Sequence, residues 1–350
     1  MKELMIEFAI AGVSSFILTA ILSRCIIPIL KAKKAGQPIR EEGPKSHFDK
    51  AGTPTMGGIA FILAIAIVLT GMAIWYAFRA KQNDLVPLAL TMALAVMNGM
   101  IGFYDDYKKL AKKQNEGLKT GQKFALQTLV AIIYVAVLAF SGNLKTAINI
   151  PFFASAVELG WVYYVFAVIL IVGVVNSVNL TDGLDGLASS VTLVVAIFFS
   201  VVAFMLKASY LDLNLINTVS ASSSSLALVC AVTVGAMVGF LVFNHHPAQV
   251  FMGDTGSLFL GGIVTGAAFI INEPMIIIIA GGVYILEVVS DIIQVSYFKL
   301  TKGKRIFKCA PIHHHFEACN WSEVKIVTVF SIATVLFCVI AWFGLSVNII

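Results

Sequence analysis

Five short segments of this sequence carry residue types that could do chemistry. Asp105-Asp106 is followed by Lys108 and Lys109. A second string reads Asn176-Ser-Val-Asn179-Leu-Thr-Asp182-Gly-Leu-Asp185-Gly186, and a third runs from Asn244-His-His-Pro to Phe251-Met-Gly-Asp254-Thr-Gly-Ser257. The fourth is Lys45-Ser-His-Phe-Asp-Lys50-Ala-Gly-Thr-Pro-Thr55-Met-Gly-Gly58, and the fifth is Pro311-Ile-His313-His314-His315-Phe-Glu317. Clustered carboxylates are hard oxygen donors suited to Mg²⁺, which usually takes one or two carboxylates together with phosphate oxygens of a substrate. Asp-Gly and Gly-Asp junctions permit tight turns that bring main-chain N–H groups close to phosphate. The chemistry suggested is metal-assisted work on a phosphorylated substrate.

Each segment also has an ordinary use. Asp105 and Asp106 could pair with neighbouring lysines at the surface, and Asp182, Asp185 and Asp254 could be turn residues or helix caps. Asn176 and Asn179, three apart, suit interhelical hydrogen bonds, and three histidines could be a solvated loop. Position decides between these readings, so the elements that hold the segments matter.

Those elements are membrane helices. The chain has 350 residues, 59% hydrophobic and 12% charged, with mean hydropathy +0.92. Soluble domains carry about 25% charge, so a water-soluble globule is excluded. Apolar runs long enough to span a bilayer fall near 6–30, 55–78, 85–103, 123–141, 161–179, 186–206, 225–243, 256–272, 275–297 and 326–349. The expected fold is all-α and polytopic, about ten transmembrane helices forming one catalytic domain over 1–350. The first run is too long for a signal-peptide core and should persist as a helix.

Lys and Arg orient such a bundle because they resist translocation. The connections 31–54, 104–124 and 298–325 carry eighteen cations between them. The opposite side holds Lys2, Arg79, Lys81, Lys145 and Lys207, and Arg24 lies near the inner end of the first span. Ten spans put every basic connection in the cytoplasm and both termini outside. All five polar segments then face inward. The second and third strings contain three acids and no Lys or Arg, which suggests an acidic pocket inside a basic rim that attracts polyanionic substrates and lipid head groups.

Three further features belong to this reading. Thr146–Phe153 alternates weakly and contains Pro151, compatible with a small outer hairpin. Glu287 and Asp291 lie one turn apart in the ninth run, where intramembrane acids either cap a helix end or face a polar cavity. Cys309, His313, His315 and Cys319 could ligate zinc, but their spacing fits none of the common structural zinc patterns; no disulfide framework is evident among the five cysteines. A transporter, the rival from another class, would use Glu287 and Asp291 along a path but would leave the acidic loop cluster without a reason.

Taken together, the five strings resemble the phospho-N-acetylmuramoyl-pentapeptide transferase (MraY) family, in order from about residue 45 to 317. The Asn–Asp and Gly-Asp-x-Gly-Ser strings are shared with the wider polyprenyl-phosphate N-acetylhexosamine-1-phosphate transferase superfamily. His-His-His-Phe-Glu is the narrower sign, because relatives using N-acetylglucosamine carry a different sequence there. The resemblance implies transfer of phospho-N-acetylmuramoyl-pentapeptide from its UDP donor to undecaprenyl phosphate, giving lipid I and UMP, with Mg²⁺, at the inner face of a bacterial plasma membrane. It also implies a homodimer in the lipid bilayer and no nucleic-acid partner. The runner-up is the same chemistry with UDP-N-acetylglucosamine.

Carried onto this sequence, the resemblance makes Asp254 the first choice for Mg²⁺, with Asp182 as a second metal or nucleotide residue. Asp105 falls beside the lipid phosphate as base or positioning group, with Asp106 next to it. Lys50, Thr55, Lys109 and Lys123 would meet phosphates, with Lys119 the alternative to Lys123. Asn176, Asn179, Asp185 and Asn244 would line the substrate site, and Phe251 would stack on uracil. His313 is the functional histidine, and His314 and His315 form the sugar-peptide loop. An aspartyl-phosphate route would require UMP exchange into the donor without lipid acceptor; direct attack would not.

Overall fold

The structure is a computed structural model describing residues 1–33, 52–79, 85–112, 117–153, 155–213 and 217–349, without the side chains of 208–222 and 346–349. Lys50 lies outside the described residues. The helices are α1 (Lys2–Ala32), α2 (Gly58–Phe78), α3 (Leu85–Lys112), α4 (Thr120–Phe140), α5 (Val162–Thr181), α6 (Leu187–Leu213), α7 (Asn217–Asn244), α8 (Gly253–Ile270), α9 (Ile276–Ala280), α10 (Gly282–Leu300), α11 (Ile312–Glu317) and α12 (Glu323–Ile349). Helices dominate for a physical reason: in hydrocarbon every backbone N–H and C=O must be satisfied within the segment.

Among the described residues nine helices are long and apolar enough to cross a membrane, α1 to α8 and α12. The run at 275–297 is not one continuous helix. It breaks at Gly281 into the short α9 and the longer α10, and Glu287, Asp291 and Lys299 put three charged residues within the length of α10. Glu287 is fully buried and Asp291 half-buried.

Helix α8 is the axis of the fold. It is the least apolar of the nine, yet 89% of its span is buried, against 28% for α1 and α12. Small residues make this possible. A side chain at Gly261 would strike the Val175 backbone of α5, and one at Gly262 the Ala95 backbone of α3, the close approach that small residues allow between membrane helices.

The connection between α4 and α5 forms the hairpin β1 (Ala147–Asn149) and β2 (Ala156–Glu158), antiparallel with Ile148 opposite Val157. It extends a few residues beyond the alternating stretch in the sequence. Asn149 Nδ2 donates to Glu273 Oε1 at 2.6 Å, tying the hairpin to the α8–α9 turn.

Candidate active site

The start of α8 is where the polar segments meet. Gly253 has φ +71°, a conformation that favours glycine, and a Cβ there would lie 2.6 Å from Asp106 Oδ2 and 2.7 Å from Thr55 Oγ1. The chain can therefore turn into α8 with Asp254 in its first turn only with glycine at this point. The preceding residues pair with the 54–58 segment: the Phe251 amide donates to the Pro54 carbonyl at 2.9 Å, and the Gly57 and Gly58 amides donate to Phe251 and Met252 carbonyls at 2.8 and 3.0 Å. On the other side, Gly102 lets α3 lie directly against the Asp254 backbone.

Around Asp254 the sequence-predicted residues converge. Lys109 Nζ lies 2.8 Å and Lys123 Nζ 3.0 Å from Asp254 Oδ2. Asn179 Nδ2 donates to Asp254 Oδ1 and to Ser257 Oγ, both at 2.8 Å, and Lys123 Nζ donates to Asn179 Oδ1 at 3.2 Å. Lys109 also meets Asp105 Oδ2 at 2.6 Å, while Asp105 Oδ1 accepts the Leu118 amide at 2.6 Å. Lys123, not Lys119, reaches this centre; Lys119 is exposed at the start of α4.

Asp106 is adjacent but differently engaged. Its Oδ2 accepts the Thr255 amide at 2.9 Å and the Thr255 hydroxyl at 2.7 Å, and its Oδ1 accepts the Asp254 amide at 3.3 Å. A buried carboxylate thus closes the N-terminus of α8, where unsatisfied N–H groups and the helix dipole favour negative charge.

Carboxylate oxygens of Asp105, Asp106 and Asp254 lie within 4.8 Å of one another. Three acids against two ammoniums leave this all-oxygen cluster one negative charge when all are ionised. Such a donor set fits a hard divalent cation. Asp182 follows α5 on the same side of the fold. Burial first, then the negative fields of Asp254, Asp106 and Asp185, hold its carboxyl well above the usual carboxylate range.

Other predicted residues stand in an outer ring. Asn176 lies one turn from Asn179 and donates to Gln127 Oε1 and the Val172 carbonyl, both at 2.8 Å. Asn244 holds the 245–252 loop, donating to the Val250 carbonyl at 3.0 Å and accepting from Ser189 Oγ at 2.8 Å. Asp185 Oδ2 lies 3.0 Å from His246 Nδ1 and accepts the Ala248 amide at 3.0 Å. With Glu323 these two form a second group of three possible metal ligands. The sequence gives no separate signal for His246 or Glu323: the first lies among the polar residues before α8, and the second is a lone acid opening α12.

The three histidines diverge. His313 Nδ1 meets Glu287 Oε2 at 2.9 Å, His314 Nδ1 meets Glu317 Oε2 at 2.5 Å, and His315 Nδ1 accepts the Lys308 amide at 3.1 Å. Cys319 Sγ is 3.8 Å from His315 Nε2, whereas Cys309 Sγ turns to the Ala310 carbonyl. Among the described residues the four candidate zinc ligands do not gather around one point.

Two family models match parts of this chain. The profile of Glycosyl transferase family 4 matches residues 86–272, and Phospho-N-acetylmuramoyl-pentapeptide-transferase signature 1 matches residues 50–62. A phospho-N-acetylmuramoyl-pentapeptide-transferase of Clostridium acetobutylicum is 47% identical over 334 residues, covering 95% of this chain and 96% of the relative. The chain belongs to that family. Relatives of the same name from Clostridium perfringens and Caldicellulosiruptor bescii are 46% and 41% identical, covering 97% and 96% of this chain and 99% and 97% of their own. The protein is therefore a multi-pass membrane transferase of phospho-N-acetylmuramoyl-pentapeptide, an activity of peptidoglycan synthesis. In this transferase the profile match spans α3 to α8, the helices that carry Asp105, Lys109, Lys123, Asn179 and Asp254.

Proposed function

We propose that the transferase moves phospho-N-acetylmuramoyl-pentapeptide from its UDP donor to undecaprenyl phosphate, releasing UMP and leaving lipid I. In the net reaction an oxygen of the lipid phosphate replaces the bridging oxygen on the sugar-side phosphorus, and UMP leaves with the electron pair of the broken bond. The observation that carries this is the convergence of Lys109, Lys123 and Asn179 on Asp254 at the start of α8. Phosphoryl transfer depends on positioning and charge neutralisation, and this cluster contains both signs of charge in a buried setting.

Asp254 would hold Mg²⁺, with Asp105 beside it and Asp182 as a further oxygen donor. When bound, Mg²⁺ would neutralise phosphate oxygens and favour departure of UMP. Lys109 and Lys123, with Lys50 and Thr55, would bind phosphates. Asp105, held by the Leu118 amide and Lys109, would face the lipid phosphate, while Asp106 would support the site by fixing the backbone of Asp254 and Thr255. Phe251, Asn244 and Asp185 would line the nucleotide side, with Asn176 buttressing Asn179. His313 would be the functional histidine, and His314 and His315 would form the sugar-peptide loop.

The reading extends to topology. The basic connections lie in the cytoplasm and both termini outside, 1–350 works as one catalytic unit in a bacterial plasma membrane, and two copies form a homodimer. The test offers purified protein UDP-N-acetylmuramoyl-pentapeptide or UDP-N-acetylglucosamine, each with undecaprenyl phosphate and Mg²⁺, and reads UMP and lipid product. The muramoyl donor alone should react, and chelation should stop it. Turnover of only the N-acetylglucosamine donor would overturn the donor assignment.

A further inference from the structure

Glu287 is a carboxyl group with no exposed surface, set within α10. Burying a charge is costly unless it is paired and hydrogen-bonded. Its partner is His313, itself 1% exposed, whose Nδ1 lies 2.9 Å from Glu287 Oε2. An ionised Glu287 can only accept, and that pairing puts the hydrogen on Nδ1. The other ring nitrogen is then fixed in direction: a partner at one nitrogen of a histidine sets the role of the other. Nε2 is buried, has no hydrogen-bond partner among the described residues, and packs on Gly183, where a Cβ would overlap the ring. Gly183 sits in the turn between Asp182 and Asp185. A line of contact therefore runs from α10 through an imidazole to the turn that bears two of the site's carboxylates.

From this we infer that Glu287 is a positioning residue for the transfer reaction, acting through His313 on the Asp182–Asp185 turn. Glu287 sets the tautomer and ring plane of His313, and the ring braces the turn through Nε2. The inference rests on the reading above that this turn and His313 belong to the reacting site.

The test is a double-mutant cycle on full-length protein with the muramoyl donor and undecaprenyl phosphate. Glu287→Gln should lower kcat by about 10- to 100-fold, the size of loss seen when the partner orienting a metal-bound histidine is removed, with the KM for the donor little changed. In a His313→Asn background Glu287→Gln should cost nothing further. An equal loss with Asn at 313 would show that Glu287 acts independently and overturn the inference. A His313→Asn variant with undiminished turnover would overturn it as well. Nitrogen-15 NMR of histidine-labelled wild-type protein needs no folded Glu287 variant, the His313 signal being the one absent from His313→Asn. A hydrogen on Nδ1 is expected, and a bare Nδ1 sinks the arrangement. Failure of the wild-type protein to use the muramoyl donor would instead refute the reaction assigned above, and the NMR result would still decide the Glu287–His313 pairing.

Discussion

Asp106 and Thr255 are joined twice: one carboxylate oxygen accepts both the amide and the hydroxyl of the same residue. Asp105, its neighbour in sequence, makes its bonds to Lys109 and the Leu118 amide instead. Adjacent aspartates thus have separable duties. Asp106→Ala should lower both thermal stability and turnover, because it strands buried N–H donors at a cost of about 1–3 kcal/mol. Asp105→Asn should lower turnover with little change in Tm. Unfolding in detergent followed beside the transfer assay separates them, and an unchanged Tm in Asp106→Ala would refute its capping role.

Lys119 and Lys123 stand one helical turn apart, yet only Lys123 reaches Asp254. Removing one cationic group from a preorganised phosphate site costs on the order of 100-fold in kcat, and that is the expected loss for Lys123→Ala. Lys119→Ala should stay within about twofold, since exposed charges contribute little. Equal losses in steady-state kinetics would mean that the two lysines had been wrongly distinguished.

Gly253 combines a left-handed φ with a Cβ position already filled by Asp106 and Thr55. Gly253→Ala should destabilise the fold by at least about 1–3 kcal/mol and remove activity, because Asp254 follows directly. Gly71 in α2 has open space around it, so Gly71→Ala is the control and should leave Tm and turnover in place. A wild-type Tm in Gly253→Ala would show that the turn can reorganise.

Glu273 lies outside the spans, and burial pushes its carboxyl up to about 7 despite the Asn149 amide and Lys145. The folded state therefore holds this proton more tightly than the unfolded chain. The resulting stability is fully present below about 4.5, the ordinary value for such a group, and fades as pH rises through 7. Wild-type Tm should fall between pH 5 and pH 8 by more than that of Glu273→Gln, which cannot ionise. Parallel Tm curves for the two proteins would contradict the assignment.

Much of this was legible in advance because apolar runs and Lys/Arg placement are local properties of the chain. Asp254, Lys109 and Asn179 could be proposed together because their strings resemble those of one family, and the charge pattern sets those strings on one expected side of the bundle. What stayed hidden depends on three-dimensional closeness. Asp105 and Asp106 look alike in sequence, and only the approach of α3 to α8 across Gly102 separates their roles. Glu287 appeared as half of a pair with Asp291, whereas its partner is His313, 26 residues away. The break at Gly281 was masked by the apolar residues on either side of it.

The burial of α8 has a consequence for how the protein is made. As the least apolar of the nine candidate spans, it gains less than the others from lipid alone, so the surfaces that retain it in the bilayer are those of α3 and α5. Both precede it in the chain. During synthesis the helix that carries Asp254 emerges only after the helices it packs against have been made.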